Sequence, residues 1–363
     1  MKIAPVVLAG GTAGIFEKLT GQHPKTYIKI GGKRLYQYAA DALLAIFGKV
    51  YVAAPHPEHN PYIYVEERGT GVERAISAAE AYLGAETHML IAYGDVYVES
   101  SAYRALIEAV AATGADGALL AVPRKTTKGY GVLETKAGTL LARIGGEGQW
   151  IFGGLALLPR AAVRIIEQAG LYEGLNQIAQ RSKIAVVPWS GTWHDVNHPE
   201  DLMPLLEFTA PRNTIIAKSA KVSPTAVLEG PVVIEDGVEI DHHAVIKGPA
   251  YIGKGAFIGT HALIRNYTDI EEGAVIGSST EISHSLICER ATVGRGAFVS
   301  YSVVGEEAVL EPNIVTMSVL RGGRDRLEPI QVRGQVYYKL GALIPRKARV
   351  SAGTTLPPGA GWD

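Results

Sequence analysis

The chain has a single cysteine, Cys288, in 363 residues. One thiol excludes an intrachain disulfide framework, and no Cys/His cluster has the spacing of a zinc site. A reducing cytoplasm is the compartment this composition suits. Long apolar runs are missing too. None approaches the ~20 residues of a membrane span, and a strand beginning near residue 3 leads us to expect no signal peptide. Excess charge of one sign is also absent: 35 Lys and Arg face 36 Asp and Glu, a formal net charge of −1. That argues against general electrostatic attraction to nucleic acid or to an anionic membrane, though a local basic cleft is compatible with it. Two common phosphate-binding signatures are lacking at the N-terminal glycine turn. No Gly-Lys-Ser/Thr closes it, and it does not have the spacing G-x-G-x-x-G.

What is present points to a well-packed globular protein, 47% apolar and 20% charged, long enough for two domains. Val6-Val7-Leu8-Ala9 reads as a buried strand that runs into Gly10-Gly11-Thr12-Ala13-Gly14. Gly10, Gly11 and Gly14 allow a tight turn and close approach to a ligand, and converging N–H groups there suit phosphate oxygens; an ordinary strand–loop junction is the alternative. Strand-like segments at Ile3–Leu8, Lys49–Ala53, His88–Ala92 and Gly117–Val122 alternate with helical spacing at Leu35–Ile46, Val72–Leu83 and Ala102–Ala112. This order predicts an α/β layered domain with a mainly parallel sheet, whose ligands bind beyond the carboxyl ends of the strands.

Several polar residues stand at such ends. Asp95 follows an apolar strand and suits a hard cation such as Mg²⁺, or a turn or helix cap. Asp195 ends the extended Thr192-Trp193-His194-Asp195, just before a helix start at Pro199-Glu200-Asp201; it offers a second carboxylate or an ordinary turn residue. Arg68-Gly69-Thr70-Gly71 precedes a helix and offers N–H groups and a hydroxyl to a base or phosphate, or forms a plain helix N-terminus. Lys128-Gly129-Tyr130-Gly131 makes a turn before Glu134, which either accepts from sugar hydroxyls or is a solvated strand residue. Gly153-Gly154 allows a flat ligand near the backbone, or close strand packing.

Taken in order, five motifs resemble those of the sugar-1-phosphate nucleotidylyltransferases. They are Leu8-Ala9-Gly10-Gly11, Pro24-Lys25, Gly94-Asp95, Tyr130-Gly131-Val132-Leu133-Glu134, and Trp193-His194-Asp195-Val196 continuing to Pro199-Glu200-Asp201-Leu202. The resemblance spans the first half and implies a Rossmann-like nucleotidyltransferase domain over residues 1–210. It implies the reaction of a nucleoside triphosphate with a sugar 1-phosphate to give an NDP-sugar and pyrophosphate. By the same resemblance Asp95 and Asp195 hold Mg²⁺ and Lys25 contacts a phosphate. Leu8, Ala9, Gly10, Gly11, Gly14, Gly69 and Thr70 bind the nucleotide, and Tyr130, Gly131, Glu134 and Gly153 bind the sugar. Two departures stand out. Ile15 occupies the place of the family's arginine, and Arg143-Ile144-Gly145-Gly146 the place of its Glu-Lys-Pro lysine. A lost cation at a charged transition state costs roughly 10²–10³ in rate, by analogy with a lost oxyanion donor. Lys18, His23 and Arg143 are candidate replacements. A catalytically weak nucleotide-binding homologue with a regulatory or scaffold role is the alternative reading.

From Thr214 the pattern changes. Aliphatic residues recur every six positions from Ile216 through Val222, Leu228, Ile234 and onward to Ile282. The phase slips and resumes through Ile287, Val293 and Val299, then through Val303, Val309 and Val315. This hexapeptide repeat predicts a triangular β-helix over residues 211–363, left-handed as in known hexapeptide proteins, with flat faces suited to homo-oligomerisation. Relatives of this architecture also include acetyl-CoA-dependent N-acetyltransferases with a histidine base. Here His242, His243, His261 and His284 are candidates, but coil-corner residues are the plainer reading, and the expected acetyl-CoA stretch is replaced by Glu311-Pro312-Asn313-Ile314-Val315-Thr316. Arg321–Leu327 reads as a basic loop. Leu343, Val350 and Leu356 read as a last coil turn, and the tail after Pro357 as disordered.

Overall fold

The computed structural model describes residues 1–56, 58, 61–66, 71–322 and 326–362. The chain divides into two compact units. The first comprises Met1–Thr12, Pro24–Tyr27 and Arg34–Val196; the second comprises Ala13–His23, Ile28–Lys33 and Asn197–Asp363.

In the first unit a nine-stranded sheet runs in the order Ile63–Glu66, Tyr51–Ala54, Ile3–Leu8, His88–Tyr93, Trp150–Pro159, Gly117–Pro123, Ile184–Pro188, Leu140–Ile144, Leu133–Lys136. Strand Ile3–Leu8 sits centrally, and apolar side chains leave it on both faces, as expected for a strand covered on both sides. Ala4, Val6 and Leu8 join a core with Ile76 and Ala79 of helix Val72–Glu80 and Ile166 of helix Ala162–Ala169. Val7 and Ala9 join another with Tyr36 and Leu43 of helix Leu35–Phe47 and Leu106 of helix Ser100–Thr113. The result is a three-layer α/β/α arrangement.

The sheet is mixed, not mainly parallel. Its first four strands are parallel neighbours. Trp150–Pro159 then inserts antiparallel between His88–Tyr93 and Gly117–Pro123. Apolar patterning gives a strand's existence but not its direction, and this ten-residue run pairs with both neighbours by reversing. Gly153 and Gly154 mark the point where its register shifts, between Phe152 and Ala156.

In the second unit three seven-stranded parallel sheets form the faces of a β-helix, the left-handed kind expected of a hexapeptide repeat. Ile234 stacks on Ile252 and Ile252 on Ile270, one coil apart. Ile240, Ile258, Ile276, Ile246, Ile264 and Ile282 fill the same continuous core. The corners use left-handed backbone, including His243 at φ 59°, His261 at φ 58° and His284 at φ 47°. The phase through Ile287, Val293 and Val299 holds, and the last, through Val303, Val309 and Val315, needs correction. Ile287 pairs with Val304, and Val293 with Leu310. The inward set is therefore Val304, Leu310 and the buried Thr316, with Val309 and Val315 only half-buried. The two coils after Ile270 are one residue shorter than those before, which is the slip in the sixfold count, but the second slip falls at Val304 and not at Val303. In the last coil the inward residue is Ile344, next to Leu343.

Two further expectations give way. Arg321 and Leu327 are paired across an antiparallel ladder, Leu320–Gly322 against Arg326–Glu328, so the basic stretch is flanked by strands rather than being a loop throughout. It belongs to an insertion that also holds the hairpin Ile330–Val332/Gln335–Tyr337. After Pro357 the chain remains ordered: Trp362 is fully buried, and its indole N–H donates to the Gly341 carbonyl at 3.0 Å. One large apolar ring with a satisfied donor is enough to pin a short tail.

Candidate active site

The central strand delivers the glycine turn to the carboxyl edge of the sheet. Gly11 has φ +106°, and a Cβ there would meet no neighbouring atom, so its conformation rather than crowding calls for glycine. Thr26 Oγ1 donates to the Ala9 carbonyl at 2.5 Å and ties the Pro24–Tyr27 segment to the start of the turn. The next strand brings Gly94 and Asp95 alongside. Gly94 N–H donates to the Leu8 carbonyl at 2.9 Å. A Cβ on Gly94 would lie 2.7 Å from that carbonyl oxygen and 2.9 Å from Tyr36 Cβ. Only glycine lets the two backbones come this close, which accounts for the Gly-Asp pair.

Asp95 and Asp195 meet through backbone pairing. Trp193–Asp195 runs antiparallel to Val96–Val98, with Asp195 opposite Val96. Val196 N–H donates to the Asp95 carbonyl at 3.0 Å. Lys25 closes the arrangement: its ammonium lies 2.8 Å from Asp95 Oδ2 and donates to the Val196 carbonyl at 2.6 Å. Residues 25, 95 and 195, far apart in sequence, thus share one edge. A cavity of about 200 Å³ opens beside them, lined by Leu8, Gly10, Gly11, Thr26, Gly71, Val72, Ala75, Tyr93 and Asp95. Gly69 and Thr70 lie outside the described residues. Gly14 belongs to the second unit, where it opens the helical turn Gly14–Phe16. Among the described residues no group of three or more His, Cys, Asp or Glu side chains is arranged to hold a metal ion.

A second cluster forms around Tyr130. Its phenol is pushed up by burial first and then by the Asp195 carboxylate, while the Arg124 guanidinium opposes the rise. The Arg124 guanidinium lies 5.7 Å from the Tyr130 ring centre and 5.2 Å from that of Trp193. The Trp193 indole N–H donates to the Gly153 carbonyl at 2.9 Å. Gly131 is crowded: a Cβ would lie 2.8 Å from the Tyr172 ring and 2.9 Å from Ile144. Gly153 is packed against Val122 and Leu120, so close packing explains the absence of its side chain. Its carbonyl, not an open face, is what it presents to Trp193.

Glu134 lies on the edge hairpin and is held by both arms of Arg143, Nε to Oε2 at 2.7 Å and Nη2 to Oε1 at 2.8 Å. The guanidinium keeps its carboxyl below the ordinary range. Glu134 and Arg143 are therefore each other's partners. The other candidate cations, Lys18 and His23, fall in the second unit. There Lys18 Nζ donates to the Gly361 carbonyl at 3.4 Å, and Ile15 is 45% exposed. On the coil, the His243 and His261 rings stack at 5.1 Å. His284 is buried and stacks on Tyr301 at 4.3 Å, with burial lowering its pKa.

Arg124, Tyr93 and Trp193 were missed as site residues. Tyr93 is reachable by the strand-end argument that found Asp95, since it closes His88–Tyr93; its phenol is raised by burial, then by Tyr172, Asp95 and Asp195. The same argument applies to Arg124, which directly follows Gly117–Pro123.

Comparison with known proteins agrees with this geometry. Residues 5–186 match the MobA-like NTP transferase domain, and residues 231–266 match the bacterial transferase hexapeptide repeat. A protein named bifunctional protein GlmU from Methanococcus maripaludis is 27% identical over 98% of this chain and 90% of its own length. Another of that name from Methanocaldococcus jannaschii is 24% identical over the same shares. A Sulfolobus acidocaldarius protein provisionally named a mannose-1-phosphate guanyltransferase is 25% identical over 66% of this chain and 72% of its own. With the family match covering half of its length, the chain belongs to the MobA-like NTP transferase domain family, followed by a C-terminal hexapeptide-repeat β-helix.

Proposed function

We propose that residues 1–210 transfer a nucleotidyl group at the edge where Lys25, Asp95 and Asp195 converge, and that residues 211–363 serve assembly. The observation that carries this is the seating of Lys25 between Asp95 Oδ2 and the Val196 carbonyl, next to the glycine-lined cavity. Leu8, Ala9, Gly10 and Gly11 approach the triphosphate through backbone, with Gly14, Gly69 and Thr70 completing the nucleotide contacts. Tyr130, Gly131, Glu134 and Gly153 face the sugar. An oxygen of the sugar 1-phosphate attacks the α-phosphorus; a new P–O bond forms as the bond to the β-phosphate oxygen breaks, and the electron pair leaves with pyrophosphate. No protein nucleophile is required, so catalysis is positioning and charge neutralisation. Lys25 contributes as a point charge on phosphate.

Mg²⁺ suits the donor set, since two carboxylates at adjoining strand ends are hard oxygen ligands and leave room for phosphate oxygens. Asp95 and Asp195 would hold it, and it would neutralise charge shared by the two phosphates. A cytoplasmic homo-oligomer joined through the coil completes the reading. Ile15 favours a second reading, a weakly active nucleotide-binding subunit, because it leaves a side chain without charge where relatives place arginine. Pyrophosphate release measured over a panel of nucleoside triphosphates and sugar 1-phosphates decides between them. Turnover with at least one pair, abolished in Asp95→Asn and Asp195→Asn, supports the enzyme. Nucleotide binding without turnover for every pair supports the weak subunit.

A further inference from the structure

Arg143 is committed to Glu134 by two hydrogen bonds. A charged acceptor still needs a cation on the sugar side. Within the first unit, the guanidinium built into the Asp195 cluster is that of Arg124. It is exposed, yet it is not a loose surface side chain: it lies over two rings, 5.7 Å from the centre of Tyr130 and 5.2 Å from that of Trp193. The rings are themselves in edge contact at 6.5 Å. Trp193 is fixed by its bond to the Gly153 carbonyl, and the Arg124 backbone N–H by its bond to the Gln149 carbonyl at 2.8 Å. The charges of Asp195 and Arg124 both act on the Tyr130 phenol, in opposite senses. A guanidinium stacked by its face keeps its N–H edge for a planar or tetrahedral anion, which suits bidentate contact with phosphate.

We propose that Arg124, held on the Tyr130–Trp193 platform beside Asp195, is the binding cation for the phosphate of the sugar 1-phosphate. The inference rests on the nucleotidyl-transfer reading and names a residue for its acceptor side. None of the three platform residues lines the glycine cavity, where Asp95 stands. The triphosphate and the attacking phosphate thus have separate cradles, and the paired strands bring Asp95 and Asp195 together between them. Lys125 and Lys128 share the basic segment after Arg124 but are exposed and stack on neither ring.

The test uses the full chain as wild type, Arg124→Met, Arg124→Lys and Lys125→Ala. Inorganic phosphate is titrated calorimetrically without turnover, and KM is measured separately for sugar 1-phosphate and nucleoside triphosphate. Arg124→Met is expected to weaken phosphate binding and raise KM for the sugar phosphate by roughly 10- to 100-fold, the size of a lost charge-assisted contact. KM for the triphosphate stays within about twofold, Arg124→Lys recovers only part of the loss because it lacks the planar fork, and Lys125→Ala has no effect. Equal phosphate binding in wild type and Arg124→Met overturns the proposal. So does a KM rise confined to the triphosphate, or an equal loss in Lys125→Ala. A wild type that binds phosphate through Arg124 but releases no pyrophosphate with any pair upholds this site and sinks the enzyme reading instead.

Discussion

The two units solve the same packing problem in opposite ways. In the coil the buried aliphatic residues stack on those of the coil before, as Ile258 on Ile240 and Ile276 on Ile258. Its stability is a sum of near-identical local steps. In the α/β unit the central strand divides two unlike cores, and the polar residues of interest are gathered from strand ends distant in sequence. Damage in the coil therefore reads out as stability, and damage at the sheet edge as chemistry. Each unit also holds buried polar groups, with different consequences. The Lys25–Asp95 pair is partly solvated. Asp269 and Glu271 are almost completely buried, and their carboxylates accept from the Gly31 and Gly32 amides at 2.5 and 2.9 Å.

The contrast can be broken in four ways. The largest loss is expected from Ile276→Ala in the middle of the stack, where the side chain is fully buried. It should cost about 2–5 kcal/mol in denaturant unfolding and leave both KM values unchanged; altered KM would show that the units do not separate stability from chemistry. Asp195→Asn should do the reverse, lowering kcat by roughly 10²–10³ with the melting temperature held within a few degrees. Gly94→Ala sits between the two kinds of damage. Its Cβ meets backbone and the packed Tyr36, so a loss of about 1–3 kcal/mol should accompany a drop in kcat as Asp95 shifts.

The smallest effect is on pH. Burial pushes the Glu271 carboxyl up to about 7, and neighbouring Asp269 is raised as well, by burial and then by Glu271. The Glu289 carboxylate adds to the rise at Glu271, and the Gly32 amide and Lys29 oppose it. Both groups bind a proton more tightly folded than unfolded; for Glu271 the contribution is complete below the unfolded pKa near 4.3 and is lost as pH rises through about 7. The melting temperature of wild type relative to Glu271→Gln should fall between pH 5 and pH 8. A flat difference would mean that Glu271 is ionised throughout.

How much of this was legible in the chain follows the same division. The coil announced itself because one side chain in six must point inward, whatever the rest does. Its errors came from the corners: a one-residue shortening was counted as two, which put the core at Val303 instead of Val304, and an insertion hid between coils. In the α/β unit Asp95 and Asp195 could be named from their places at strand ends, and Lys25 through the motif resemblance alone. Their meeting could not be derived, because it depends on Trp193–Asp195 pairing with Val96–Val98. The reversal of Trp150–Pro159 was invisible for the same reason: strand direction is a tertiary property. Glu134 and Arg143 were each assigned a substrate, yet they bind each other across neighbouring strands. Arg124 stands just past a strand end, but its place over rings six and sixty-nine residues away is a tertiary property that its neighbours in sequence do not mark.

The central claim is that substrate phosphate attacks nucleotide phosphate directly at the edge shared by Lys25, Asp95 and Asp195. The most direct measurement is the rate of pyrophosphate release from a nucleoside triphosphate as sugar 1-phosphate is varied from zero. Direct attack predicts no burst and no release without the sugar phosphate, saturable release with it, and loss of that release in Asp95→Asn. Release from the triphosphate alone, or release that survives Asp95→Asn, would contradict the account.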